Sequence, residues 1–248
     1  MKMDSRKRRI GLIIPSSNST VEPDFHYVLP DNASLHSARV FLVETTIESL
    51  ERMNLEAESA AKSLASADVD VITYACTSGS FLGGPGYDQD LLSRLTTVSG
   101  GVGSIGTTPA VIAALNSQEI KKVSVVTPYL DSINERLTEF LTHSGFEVAS
   151  MAGQQLISNL DIGDQSPDQI LEFCRNNLDQ SADGFFLSCT NWRAIEIADY
   201  VETEFGKPVV TSNQATIWAT LNFLGLNQPI NGFGSLLTKH PSVKMANQ

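Results

Sequence analysis

The stretch VDVITYACT, residues 69–77, recurs as ADGFFLSCT at residues 182–190, an offset of 113 positions. Each copy carries an Asp in second place (Asp70, Asp183), continues as a short apolar run and ends in Cys-Thr (Cys76-Thr77, Cys189-Thr190). An uninterrupted apolar run of this length reads as a strand buried on both faces, as in a parallel sheet. Working outward, Pro15 pairs with Pro128 and Glu22 with Glu135 at the same offset. Beyond the cysteines the first copy carries a longer Gly-rich loop, Gly79–Tyr87. The offset then shrinks to 105, pairing Ala110 with Ala215 and Ile112 with Ile217. Identities that share one offset and fall at equivalent strand ends read as an internal duplication.

Buried-strand readings fall on Arg9–Pro15, Asp70–Ala75, Val123–Thr127, Gly184–Ser188 and Pro208–Thr211. Amphipathic spacing predicts helices over Glu48–Ala67, Ser132–Ser144, Asp168–Gln180 and Arg193–Phe205. Strands that alternate with helices mean α/β with a mainly parallel sheet. The expected organisation is two pseudo-symmetric α/β halves, 1–118 and 119–230, with a C-terminal segment 231–248 packing back onto the first. Ligands of parallel α/β units bind beyond the carboxyl ends of the strands. Two such halves facing each other would place Cys76 and Cys189 on one cleft.

Composition narrows the chemistry. Of 248 residues, 17 are Lys or Arg and 28 Asp or Glu, a formal net charge of −11. That balance argues against nucleic acid or an anionic membrane as partner, since both need clustered cations. The run Arg6-Lys7-Arg8-Arg9 reads as a solvated tail entering the first strand. No run of eighteen apolar residues occurs, and the apolar stretch after the basic start is too short for a signal peptide. Three cysteines, an odd number with no CxxC, favour a reducing cytoplasm over a disulfide framework. The four histidines, His26, His36, His143 and His240, lack metal-site spacing, so no metal is expected and they read as surface or packing residues. GxxxxGK[ST] is absent. Gly101–Gly106 matches the letters GxGxxG but follows no convincing strand, so it reads as a flexible loop.

Cys76 and Cys189 each end a strand and enter a turn of small polar residues: Thr77 and Ser78 in one, Thr190 and Asn191 in the other. Backbone N–H groups there, with a helix starting just beyond, would lower a thiol pKa and could hold an anion. A lone cysteine is more often a small buried hydrophobe, which is how Cys174 reads in mid-helix. A matched pair suits proton transfer on two faces of a carbon acid, or thiolate addition to an activated double bond. The turn after the first strand, with Ser17 and Asn18, suits a carboxylate but equally a helix N-cap. Tyr129, in the matched turn of the second half, could donate to an oxyanion or simply pack. Asn159 reads as a loop residue. Gly83-Gly84-Pro85-Gly86 reads as a flap over the cleft or a plain tight loop.

RIGLIIPSSNSTVE, then Cys76, then VTPY, then Cys189, resembles the aspartate/glutamate racemase superfamily. The nearer likeness is to its maleate cis-trans isomerase and arylmalonate decarboxylase branch, over nearly the whole chain. The resemblance implies two flavodoxin-like domains with the active site in the cleft between them, no cofactor, and a small carboxylate substrate. It implies Cys76 as a nucleophile adding to a double bond to give a succinyl-like adduct, and Cys189 as the thiol that moves the proton. It puts carboxylate-binding roles on Asn18, Tyr129 and Asn159. Small enzymes of this architecture are often homodimers. Arylmalonate decarboxylases resemble this chain in keeping Thr77-Ser78 for an oxyanion but carry Gly where it has Cys76. Maleate isomerases carry apolar residues directly after the first cysteine, where this chain is polar. The resemblance therefore implies an isomerase, maleate to fumarate first. A two-thiol racemase or epimerase of an amino acid or N-acyl amino acid, as in ectoine degradation, is the alternative. A malonate-type decarboxylase and a non-catalytic carboxylate binder stand behind these.

Overall fold

The structure, a computed structural model, describes residues 6–238. Its strands are β1 (Arg8–Pro15), β2 (Ala33–Val40), β3 (Val71–Tyr74), β4 (Ser104–Gly106), β5 (Lys122–Thr127), β6 (Glu147–Gly153), β7 (Gly184–Leu187) and β8 (Val209–Thr211). The helices are α1 (Val21–Val28), α2 (Ile47–Ala65), α3 (Thr77–Phe81), α4 (Tyr87–Val98), α5 (Thr107–Ser117), α6 (Asp131–His143), α7 (Asn159–Gly163), α8 (Pro167–Asn177), α9 (Ala198–Phe205) and α10 (Ser212–Phe223). A 3-10 turn, Arg193–Ile197, precedes α9, and another spans Ser235–Thr238.

Two four-stranded parallel sheets form, in the orders β2-β1-β3-β4 and β6-β5-β7-β8. The duplication extends to register. Ile10 lies opposite Val71, and 113 residues on Val123 lies opposite Gly184. Arg9 opposite Ser34 becomes Lys122 opposite Glu147. The repeated aspartates explain the shared register: Asp70 accepts the Arg9 N–H (2.7 Å) and Asp183 the Lys122 N–H (2.8 Å), pinning the outer end of each central strand pair. The central strands β1, β3, β5 and β7 are buried from both faces, as their apolar runs require.

Helices α5 and α10, related by the 105 offset, pack on each other between the sheets, and α10 also reaches β3 and β4. The loops after β2 and β6 cross as an antiparallel bridge, Glu44 with Ser158, so the halves clasp on the opposite side as well. Between the two clasps the carboxyl ends of both sheets meet, Thr190 beyond β7 donating to the Ala75 carbonyl beyond β3 at 3.2 Å.

Several readings change. Residues 104–106 of the GxGxxG stretch form the edge strand β4, too short to carry a periodic signal. The basic run is not merely solvated, since Arg6 pairs with Asp70 at 3.0 Å and Arg9 with Asp68 at 3.3 Å. Arg193–Phe205 begins as a 3-10 turn and becomes α-helical at Ala198. In the C-terminal segment, Gly234 N–H donates to Asp199 (2.7 Å) and Ser235 to Glu202 (2.8 Å), both of the second half. Gln118 of the first half reaches Ser235 (3.2 Å). The remainder of that segment, 239–248 with His240, lies outside the described residues. No described helix is long and apolar enough to cross a membrane.

Candidate active site

Cys76 ends β3 and caps α3: its Sγ accepts the Gly79 N–H at 3.4 Å and lies 3.8 Å from the Ser78 Oγ. Ser80 closes the turn, its hydroxyl donating to the Cys76 carbonyl at 2.6 Å. A Cβ on Gly79 would lie 2.6 Å from the Tyr74 hydroxyl and 2.8 Å from Met53, so only glycine lets the turn sit this close to α2. Behind it the buried Asn54 on α2 donates to the Gly79 carbonyl (2.9 Å) and to the Tyr87 hydroxyl (2.9 Å), and accepts from Tyr74. The Gly83–Gly86 loop is thus anchored at one end by Tyr87. At the other, Arg136 donates to the Leu82 carbonyl at 2.8 Å.

Cys189 ends β7, but no helix starts directly after it; the first helical residue is Arg193. Its Sγ accepts the Asn191 N–H at 3.3 Å and the Tyr129 hydroxyl. Tyr129 is 1% exposed, and its hydroxyl also meets Thr77 and feels the Cys76 charge. Thr190 donates to the Ala75 carbonyl at 3.2 Å, which ties the Cys189 turn to the residue before Cys76. Both cysteines are free thiols.

The remaining predicted residues divide by what already occupies them. Asn18 accepts the Thr20 and Val21 N–H groups (2.9 and 3.0 Å) at the start of α1 and donates to the Thr190 hydroxyl (3.2 Å). Its amide oxygen therefore caps the helix, and only the amide nitrogen faces the second half. Asn191 is held in the scaffold: its side chain accepts the Ser19 N–H (2.8 Å) and donates to the Asn159 carbonyl (2.5 Å). Thr77 donates to Ser212 at 2.9 Å. Asn159 starts α7 and donates to Ser17 at 2.8 Å, and Ser17 donates to the Leu42 carbonyl. The turn itself is braced by Arg39, which donates to the Ser16 and Asn18 carbonyls (3.0 and 2.9 Å) and pairs with Glu22 at 2.6 Å. Sequence reading missed Asn54, Arg39 and Ser212. Asn54 carried a signal, a polar residue on the apolar stripe of α2, whereas Arg39 and Ser212 had none. Cys174 is buried in α8, away from these turns.

The expected lowering of the thiol pKa values does not hold. Burial pushes Cys76 up to about 11, against the opposing Gly79 N–H and Ser78 hydroxyl. Burial pushes Cys189 up to about 12, although Tyr129 and the Asn191 N–H oppose it; the neighbouring Cys76 charge adds to the rise. Desolvation of a sulfur anion outweighs one or two weak N–H donors. Burial likewise holds Tyr129 well above the usual phenol value, so it stays a donor. The sign gives a test. Below pH 11 the thiolate fraction rises tenfold per pH unit, so alkylation of Cys76 by iodoacetamide, read by peptide mass spectrometry, climbs through pH 7–10 without a plateau. A plateau near pH 7 would show a thiolate stabilised in the resting protein.

What assembles is two thiols that share one phenol as a neighbour, with hydroxyls and amide N–H groups, at the carboxyl ends of both sheets. Such a set can bind an anion through neutral donors, and can add sulfur to, or move a proton on, a carbon between the thiols. Among the described residues no cluster of three or more His, Cys, Asp or Glu side chains could hold a metal ion.

Comparison with known proteins adds to this geometry. The family model described as arylmalonate decarboxylase matches residues 10–237. A maleate isomerase from Geobacillus stearothermophilus is 30% identical over 243 residues, covering 93% of this chain and 97% of the relative. A cysteine-to-alanine variant of the maleate isomerase Iso from Pseudomonas putida S16, solved with maleate, superposes with a TM-score of 0.88 at 28% identity, over 93% of this chain and 97% of that one. A cysteine-to-serine mutant of the Nocardia farcinica maleate cis-trans isomerase, solved with a covalently bound succinylcysteine intermediate, gives 0.87 at 29% identity, over 93% and 98%.

Proposed function

Because this chain belongs to the arylmalonate decarboxylase family, we propose that its two thiols serve one reaction: cis-trans isomerisation of a small unsaturated dicarboxylate, maleate to fumarate. The observation that carries the reading is the pair of strand-end thiols, Cys76 and Cys189, turned toward one phenol, Tyr129. The maleate isomerase relatives support it, as does the succinylcysteine seen in one of them.

In this reading Cys76 thiolate attacks one alkene carbon. The sulfur–carbon bond forms, and the π electrons move to the other carbon and into its carboxylate. Cys189 delivers its proton to that carbon, giving a succinyl thioether on Cys76. The former double bond is now single and rotates. Cys189 thiolate then removes a proton from the same carbon, the double bond re-forms in the trans geometry, and the sulfur–carbon bond breaks to release Cys76 thiolate. Both groups the cycle needs come from the chain itself, so the chemistry closes without a cofactor. Tyr129, with Ser78 and Thr77 nearby, donates to the charge that grows on the carboxylate. Asn18 and Asn159 bind the other carboxylate through their amide nitrogens; Ser17, whose hydroxyl proton goes to the Leu42 carbonyl, orients Asn159. Thr190 and Asn191 serve by holding the Cys189 turn.

The phenol donor is testable. Tyr129→Phe keeps the packing and removes the donor, and loss of one such group costs ~1–3 kcal/mol in the transition state, a fall of about 5–150-fold in kcat. Fumarate formation from maleate, followed by chromatography, reads it; wild-type rate in the variant would remove Tyr129 from the mechanism.

The polar residues after Cys76 favour one second reading, racemisation of an amino-acid derivative across the same two thiols. In that case the substrate Cα–H exchanges with deuterated solvent from both enantiomers.

A further inference from the structure

Asp24 is a buried carboxyl that the reaction above does not use. It lies on α1 and is 2% exposed. Its side chain accepts from the Asn213 Nδ2 of α10 at 2.6 Å. The same Nδ2 donates to the carbonyl of Thr190, the residue after Cys189, at 3.1 Å. The Asn213 Oδ1 is buried without a partner. The rest of that turn is also held from the start of α1. Thr20 donates to the Asn191 carbonyl (3.0 Å), the Ser19 N–H to the Asn191 side chain (2.8 Å), and Asn18 to Thr190 (3.2 Å). Asp24 is the one carboxyl among the side chains named here.

We propose that Asp24 is a positioning residue for Cys189, acting through Asn213 on the Thr190 carbonyl. As a carboxylate it is the strong acceptor for one Asn213 N–H, and this orientation aims the other at Thr190. As a carboxylic acid it becomes a donor, and the unpartnered Asn213 Oδ1 is an acceptor within the same amide. The amide then turns its oxygen toward Asp24 and withdraws its nitrogen from Thr190.

The titration lies near neutrality. Burial pushes Asp24 up to about 7, opposed by the Asn213 N–H; Glu196 adds to the rise and Arg193 opposes it. Arg193 and Glu196, in the 3-10 turn, are paired with each other at 2.7 Å. On α1 itself lie Glu22, His26 and Tyr27. On β2, packed against it, are His36 and Arg39, the latter paired with Glu22. Helix α10 carries no titratable side chain. Above pH 7 the turn is held; below it the hold is released.

The test is hydrogen exchange of the segment 189–193 at pH 8 and pH 6, corrected for intrinsic exchange, with 75–80 around Cys76 as control. Replacing a charge-assisted hydrogen bond by a neutral one lowers protection of 189–193 about fivefold at pH 6 in the wild type. The control stays constant, and Asp24→Asn shows no pH dependence. If the wild type is pH-independent, or Asp24→Asn keeps the same dependence, the inference is overturned. Should Asp24→Asn not fold, Asn213→Ala decides it: low, pH-independent protection supports the link, and retained pH dependence refutes it. In its effect on turnover the inference rests on the proposed isomerisation. There kcat for maleate falls more steeply below pH 7 than the Cys76 thiolate fraction alone requires, with KM unchanged, and Asp24→Asn lacks that added steepness. If maleate is not turned over, the exchange result still decides Asp24, and only the function falls.

Discussion

Cys76→Ala is expected to abolish maleate turnover while leaving the fold in place. The proposed cycle begins with a bond from this sulfur, and alanine offers no atom in its place. Removing the nucleophile of a covalent mechanism costs a factor of roughly 10^4 or more. The structural cost is small. The sulfur makes only weak hydrogen bonds, with the Gly79 N–H at 3.4 Å and the Ser78 hydroxyl at 3.8 Å. The turn is also closed by Ser80 and by Asn54, neither of which depends on the thiol. Losing one buried atom and one weak acceptor costs about 1 kcal/mol, a melting shift of about 2–4 °C for a chain of this size. Initial rates and a circular-dichroism melt on the same preparation separate the two effects. Near wild-type turnover would show that Cys76 is not the nucleophile.

Cys189→Ser is expected to fail differently. A serine hydroxyl fills the site and still meets Tyr129, but it ionises far above even the raised thiol value of Cys189. Addition at Cys76 remains possible with a proton from solvent or the hydroxyl. Removal of that proton, which the release step needs, does not. Turnover therefore falls by a factor of roughly 10^3 or more, and the protein becomes heavier by one maleate, located on the peptide that holds Cys76. Cys189→Ala loses the donor as well and retains still less activity. An adduct on Cys174, or none at all with turnover intact, would separate Cys189 from the proton path.

What was legible in the sequence came from burial on both faces. β1, β3, β5 and β7 are central strands, and their unbroken apolar runs announce them. β2 and β6 are edge strands of mixed exposure; ASLHSARV and EVASMAG show no run, so both passed unread. Helix α10 failed for the opposite reason. Ser212–Leu221 is buried along its whole length, so there is no polar face against which to see an amphipathic period.

At the site, the cysteines and Tyr129 were visible because duplication marked their turns. The division of labour among the polar residues was not. Ser78 and Asn191 occupy matching places, yet Ser78 lies beside a sulfur while Asn191 bonds to Ser19 of the facing half and to Asn159 of its own. Only the packing of one half on the other decides which amide is left to meet a substrate. The direction of the thiol pKa values was hidden for the same cause: local N–H donors can be read from a turn, but burial depends on the facing half.

The most direct test of the central claim is a proton NMR time course of purified, reduced protein with maleate in deuterated buffer. Loss of the maleate vinyl signal with growth of the fumarate vinyl signal, absent in Cys76→Ala, is the result this account predicts. Maleate left untouched, while an amino-acid derivative exchanges its Cα proton from both enantiomers, would contradict it and assign the two thiols to racemisation.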